Sequence, residues 1–147
     1  MKRNAKGFSL PELLIVVAVI GIIATIAIPG LLEAQRASRE AAAIQTLRTI
    51  VESENTYLSV KGNYTSYGDG SQLSGASLVD ASLFSSPINN YQLTLTLGSP
   101  ASTYSATNEP VGASATAKSH FYFVANDGLI RWKAGSTAGP SDPPIPQ

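Results

Sequence analysis

The sequence predicts an α+β chain in which one long N-terminal helix packs on a small C-terminal antiparallel sheet. Three observations predict it. A continuous aliphatic run lies close to the N-terminus, three-and-four spacing of small and apolar residues follows it, and period-two alternation fills the last third.

The aliphatic run lies within residues 8–32, FSLPELLIVVAVIGIIATIAIPGLL. Its only charge is Glu12, and of the sixteen residues from Leu13 to Ile28 only Gly21 and Thr25 fall outside the aliphatic set. At about 1.5 Å per residue, residues 13–32 reach roughly 30 Å as a helix, the thickness of a bilayer's hydrocarbon core. The chain holds no second stretch of this kind. Lys2, Arg3 and Lys6 precede it without an acid, which predicts a cytoplasmic N-terminus and a chain otherwise on the far side of the membrane.

Three readings fit this segment. A secretory signal peptide has a basic start and an apolar core of about 7 to 15 residues ending at a small-x-small site. This run is longer and continues past Pro29 into a helical pattern. A plain membrane anchor needs only apolar length, and gives no reason for Gly7-Phe8 or for Glu12. The third reading uses those residues. Lys6-Gly7 followed by Phe8-Ser9-Leu10-Pro11-Glu12-Leu13-Leu14, with Gly21 in mid-span and Pro29 after it, resembles the leader and N-terminal motif of type IV prepilins and their pseudopilin relatives.

The resemblance covers residues 6–32 and departs at Pro11, where many members carry an aliphatic residue. A proline in the first helical turn gives up no intrahelical hydrogen bond. The resemblance implies that a prepilin peptidase cuts between Gly7 and Phe8 and methylates the new Phe8 amine. It further implies that Glu12 meets the Phe8 amine of a neighbouring subunit in a filament, and that residues 21–29 can melt on assembly. Gly21, Pro29 and Gly30 are therefore the candidate hinge, with a simple kink at Pro29 as the alternative. A carboxylate in hydrocarbon needs a partner or a proton, and a negative charge also suits a helix start; the alternative is that Glu12, only one turn deep, reaches the membrane surface.

The chain has 147 residues and no cysteine, which removes disulfides and thiolate metal sites together. Many pilins staple a C-terminal loop with a disulfide, and this chain must close its last segment otherwise. Ten basic residues balance ten acidic ones. Without Lys2, Arg3 and Lys6 the balance is seven against ten, which does not mark a nucleic-acid-binding surface.

From residue 31 the pattern becomes amphipathic. Ala34, Ala37, Ala41, Ile44, Leu47, Val51 and Leu58 form the predicted inner stripe, with a gap at Glu54, and Arg36/Glu40 and Arg48/Glu52 are i,i+4 pairs on other faces. One helix is expected to run to about Val60 and to end at Lys61-Gly62-Asn63, with Gly62 as the left-handed cap. A Gly/Ser-rich connection follows, anchored by Leu73, Leu78, Val79, Leu83 and Phe84. Asp69 and Asp80 in it are weak calcium candidates beside the simpler reading of solvated loop positions. Asn63-Tyr64-Thr65 fits the glycan acceptor pattern.

Expected strands are residues 91–97, 102–107, 119–125 and 129–133, with Asn126-Asp127-Gly128 as the tight turn of the last hairpin. Tyr91, Leu93, Leu95 and Leu97 should face the helix. The tail GPSDPPIPQ is too rich in proline for a strand and is expected to run irregularly over the surface. The expected organisation is residues 1–7 as leader, 8–32 as membrane and filament-core helix, 33–62 as amphipathic helix, 63–90 as connection, 91–134 as sheet and 135–147 as tail.

No nucleophile elbow, phosphate loop, cofactor motif or metal-ligand spacing is present, and His120 stands alone in an expected strand, so no catalytic residue is assigned. What the resemblance implies is a structural filament subunit that assembles with copies of itself. Its further partners are a prepilin peptidase, an assembly platform and an ATPase, and it waits in the bacterial inner membrane before assembly. Adhesion, motility or DNA uptake are its outcomes in that family. A type II secretion pseudopilin is the alternative, although no clear aspartate-proline-tryptophan-glycine pattern is seen. A minor pilin and a single-span anchored binding domain are further ones.

Overall fold

The computed structural model describes residues 7–60, 67–99, 102–112 and 118–146. Helix α1 spans Leu10–Val60, and two short helices follow, α2 at Gly70–Gly75 and α3 at Ser82–Ser85. Strands β1 (Tyr91–Leu97), β2 (Tyr104–Pro110), β3 (His120–Ala125) and β4 (Arg131–Ala134) form an antiparallel meander in the order β1-β2-β3-β4. This is the expected α+β architecture of a long helix and a small sheet. The expected helix cap at Gly62 and the glycan pattern at Asn63 lie outside the described residues.

The chain divides into two units, Met1–Ala37 and Ser38–Gln147. In the first, α1 is continuous through Pro29 and its aliphatic side chains are exposed on all sides. Its most apolar 18-residue window has a mean hydropathy of 2.8, and none of that window is buried. The helix is long and apolar enough to cross a membrane.

The second unit holds the core. Ala43, Leu47 and Ile50 of α1 pack with Tyr91 and Leu93 of β1, Tyr104 and Ala106 of β2, Tyr122 and Val124 of β3, and Ile130. Leu95 and Leu97 pack against this cluster with partial burial, so the face expected of β1 is the inner one. The helix stripe differs from the expected one. Buried positions are Ala43, Leu47, Ile50, Ser53 and Glu54, while Ile44, Val51 and Leu58 are half-buried and Ala41 is exposed. The inward face is thus rotated, and Glu54, read as a gap, lies at its centre. A carboxyl is a poor guide to a buried face because hydropathy counts it as outward.

Strand β2 alternates strictly, with Tyr104, Ala106, Asn108 and Pro110 inward. It begins and ends later than expected. Asn108, Glu109 and Pro110 are weak strand formers, but they pair with Leu93, Gln92 and Tyr91. Strand β3 reaches β2 only from Ser105 to Asn108, so Pro110's missing N–H costs no bond on that side. Asn108 donates Nδ2 to the Ala43 carbonyl at 3.1 Å, a buried tie from sheet to helix.

Strand β4 starts at Arg131 rather than Leu129, because Leu129 and Ile130 belong to the turn. Gly128 takes a left-handed φ of 70° there and donates its N–H to the Ala125 carbonyl. Before β1, Asn89 and Asn90 take φ of 52° and 66°. They close a tight turn in which Ile88 and Tyr91 exchange both backbone bonds, which the sequence reading had left inside the connection.

The connection itself is more ordered than a Gly/Ser-rich stretch suggests. Asp69 and Gln72 form a reciprocal capping box on α2. Leu73 is fully buried, and Val79, Leu83 and Phe84 pack against the core. The tail also departs from expectation. The Trp132 N–H donates to the Pro143 carbonyl and the Ile145 N–H to the Ile130 carbonyl, so the tail lies along the free edge of β4. In PPIP only Ile145 has an N–H, and it is used inward. The prolines leave no further N–H on this stretch for another strand to pair with, which blunts the sheet edge without a disulfide.

Candidate functional site

Ser9 stands immediately before α1 and Glu12 is its third helical residue, the spacing of a capping box. The Ser9 N–H donates to Glu12 Oε2 at 2.8 Å, and the Ser9 hydroxyl donates to the same oxygen at 2.7 Å. Both bonds fall on one carboxylate oxygen, in an exposed position at the positive end of the helix dipole. Glu12 is thereby held in place one turn from Phe8. Pro11 sits at the second helical position, where its missing N–H removes no intrahelical bond.

Phe8 is 83% exposed, and the Gly7 α-carbon has open space around it. Gly21 and Gly30 likewise face open space, so neither is required for packing within one subunit. Pro29 cannot donate to the Thr25 carbonyl four residues back, which leaves that acceptor without its helical donor. The Thr25 hydroxyl bonds to the Ile22 carbonyl at 2.7 Å. The lost bond and the freer Gly30 backbone thus fall on adjacent residues of an otherwise unbroken helix.

The other candidates resolve differently. Asp69 caps α2 through the Gln72 N–H, and Asp80 accepts the Ser82 N–H at 2.8 Å, with both carboxyls held below their ordinary range by these bonds and by serine hydroxyls. Among the described residues no group of three His, Cys, Asp or Glu could hold a metal ion. His120 is paired rather than alone. Its Nδ1 lies 3.0 Å from Glu40 Oε2, and its ring meets Trp132 edge-on at 4.6 Å. Glu40, read as a partner of Arg36 on an outer face, instead joins α1 to β3.

Glu54 is the residue that sequence reasoning missed most clearly. It is 0% exposed, accepts the Gly68 N–H at Oε2 over 2.9 Å, and is pushed up from 4.5 to about 7, chiefly by burial. Its signal was available as the single break in an otherwise apolar stripe.

The family pattern described as "Prokaryotic N-terminal methylation motif" matches residues 2–28. Among curated proteins, the chain is 38% identical over 87 residues to the type IV wide pilus major component PilA4 of Thermus thermophilus, covering 59% of this chain and 61% of that one. It is 39% identical over 67 residues to the type IV major pilin protein PilA of Myxococcus xanthus, covering 46% of this chain and 30% of that one. The chain thus spans less than two thirds of either relative. No solved structure matches. The chain is thus similar to type IV pilins in its N-terminal methylation motif and over part of the length of these two relatives, and its helix-on-sheet fold is consistent with that likeness.

Proposed function

We propose that the chain is a structural subunit of a type IV pilus-like filament and not an enzyme. The observation that carries this reading is an aliphatic helix exposed on every side whose start is marked by one positioned carboxylate. Before assembly, residues 8–32 lie in the bacterial inner membrane as a single span with the N-terminus cytoplasmic. A prepilin peptidase cuts between Gly7 and Phe8 and methylates Phe8. The assembly platform and its ATPase then transfer the helix from lipid into a bundle of the same helices from other copies.

That transfer replaces one apolar environment by another, so the hydrophobic effect gives it little direction. Charge supplies the register. Oε2 of Glu12 already accepts two bonds within its own chain, and the carboxylate retains capacity for the cationic Phe8 amine of a neighbour. Residues 21–29 are the part of the helix that loosens, because Pro29 and Gly30 weaken it at its lower end. A contact of this kind is heterologous and repeats without closing, which builds a fibre. The relatives named as pilus components favour a surface pilus over a type II secretion filament.

The test is Glu12→Ala expressed beside the wild-type chain in the native cell. Membrane insertion and cleavage are expected to survive, while the share of the variant in sheared filaments falls several-fold. Equal incorporation of both chains would remove the charge-pair mechanism.

A further inference from the structure

The assembly reading makes no use of Glu54, although it is a fully buried carboxyl in the second unit. Oε2 accepts the Gly68 N–H at 2.9 Å, and Oε1 is buried without a hydrogen-bond partner among the described residues. Among the described residues, the titratable groups that bear on it are Asp69 beside Gly68, Tyr104 of β2, and Tyr67, whose ring lies 4.7 Å from that of Tyr104. All of these are acids. Gly68 is also tightly seated, since a methyl group there would meet Tyr57 Cδ1 at 3.1 Å and Leu73 Cδ2 at 3.2 Å. Asp69, the next residue, caps α2. A polar tie from α1 therefore holds down the segment of residues 67–75.

We propose that Glu54 is a proton-operated latch, which holds residues 67–75 on α1 when protonated and releases them when ionised. In the neutral acid, Oε2 accepts from Gly68 and the proton sits on Oε1, where an unpartnered hydroxyl is tolerable. The ionised form is a buried charge with one hydrogen bond and Asp69 beside it, which is far more costly. Lifting the segment admits water and relieves that cost. Beyond that segment, Val79, Leu83 and Phe84 pack against the core, so release at Gly68 does not detach the whole connection.

The sign follows from the raised proton affinity of the closed state. Below 4.5, both closed and open forms carry the proton and the latch is fully engaged. Between 4.5 and about 7 the open form alone loses it, so opening rises by about tenfold per pH unit, up to roughly 300-fold in total. Above 7 both forms are ionised and opening no longer changes. This goes beyond the filament reading and does not depend on it.

The experiment is amide hydrogen exchange on the full chain in detergent micelles, with protection corrected for the pH dependence of chemical exchange. Protection of residues 67–75 should fall by up to roughly 300-fold between pH 4.5 and 7 and level off above, and should stay below that of β2 and β3 at every pH, as a local opening requires. In Glu54→Gln it should stay at its acid level throughout. A flat wild-type profile, or the same fall in the variant, would overturn the latch. The Glu54 carboxyl carbon, followed by NMR in the wild-type chain, should titrate near 7, and a midpoint near 4.5 would overturn it whether or not the variant folds.

Discussion

The two ends of α1 solve opposite problems with one helix. From Leu13 to Leu32 its aliphatic residues are exposed, with Ile22 at 65% and Ile26 at 77%. From Ala43 to Glu54 the same helix buries a narrow stripe under its own sheet. On the filament reading, the first stretch draws its stability from lipid or from other copies around the subunit. The second draws it from the chain itself. Side chains in the first should therefore matter to assembly and not to folding, and side chains in the second the reverse.

The largest expected effect breaks this comparison if it is wrong. Leu47→Ala, at a residue with 0% exposure, should destabilise the outer unit by about 2–5 kcal/mol in denaturant titrations, whereas Ile22→Ala should change that stability by less than about 0.5 kcal/mol. Comparable losses from both would mean that the exposed half is also part of the core. Next comes Asn108→Ala, which removes the bond to the Ala43 carbonyl in a buried setting and should cost about 1–3 kcal/mol by the same measurement.

The pH dependence sharpens the account further. Glu54 binds its proton more tightly in the folded chain than in the unfolded one, so its contribution is complete below 4.5 and is lost as pH rises to about 7. Thermal unfolding should show stability falling over that window, and Glu54→Gln should flatten its share of the slope. Smallest of all, Asp127→Ala removes an exposed ion pair with Arg131 at 2.7 Å and a bond to the Leu129 N–H. It should cost about 0.5–1 kcal/mol in the same titration.

The division between the two halves also explains what could be read from the sequence. Residues 8–32 are legible because an all-aliphatic helix with one carboxylate at its mouth leaves few alternatives, and the motif match over residues 2–28 rests on the same letters. The order of helix and strands is legible because YQLTLTL and HFYFVA carry their burial on alternate or contiguous apolar residues. Hydropathy misplaced the inward face of α1 because Glu54 and Ser53 are buried polar residues, Glu54 accepting from Gly68 across the chain and Ser53 donating to the Thr49 carbonyl one turn back. It shortened β2 because Asn108 and Pro110 are set inward by their neighbours and not by strand preference. Nor did it show the tail on the edge of β4, since a proline-rich segment signals only that it cannot extend a ladder, not that it can end one. Within the candidate site, Glu12 stands out in the sequence as the one charge at the helix start, while its two bonds from Ser9 are a matter of side-chain geometry.

The central claim is that residues 8–32 exchange lipid for copies of themselves after a cut before Phe8. The most direct measurement is the N-terminal sequence and mass of the protein in filaments sheared from its native cell. The account predicts a chain that begins at N-methylated Phe8 and retains residues 8–32. A chain that begins at Met1, or one cut beyond the aliphatic run, would contradict it.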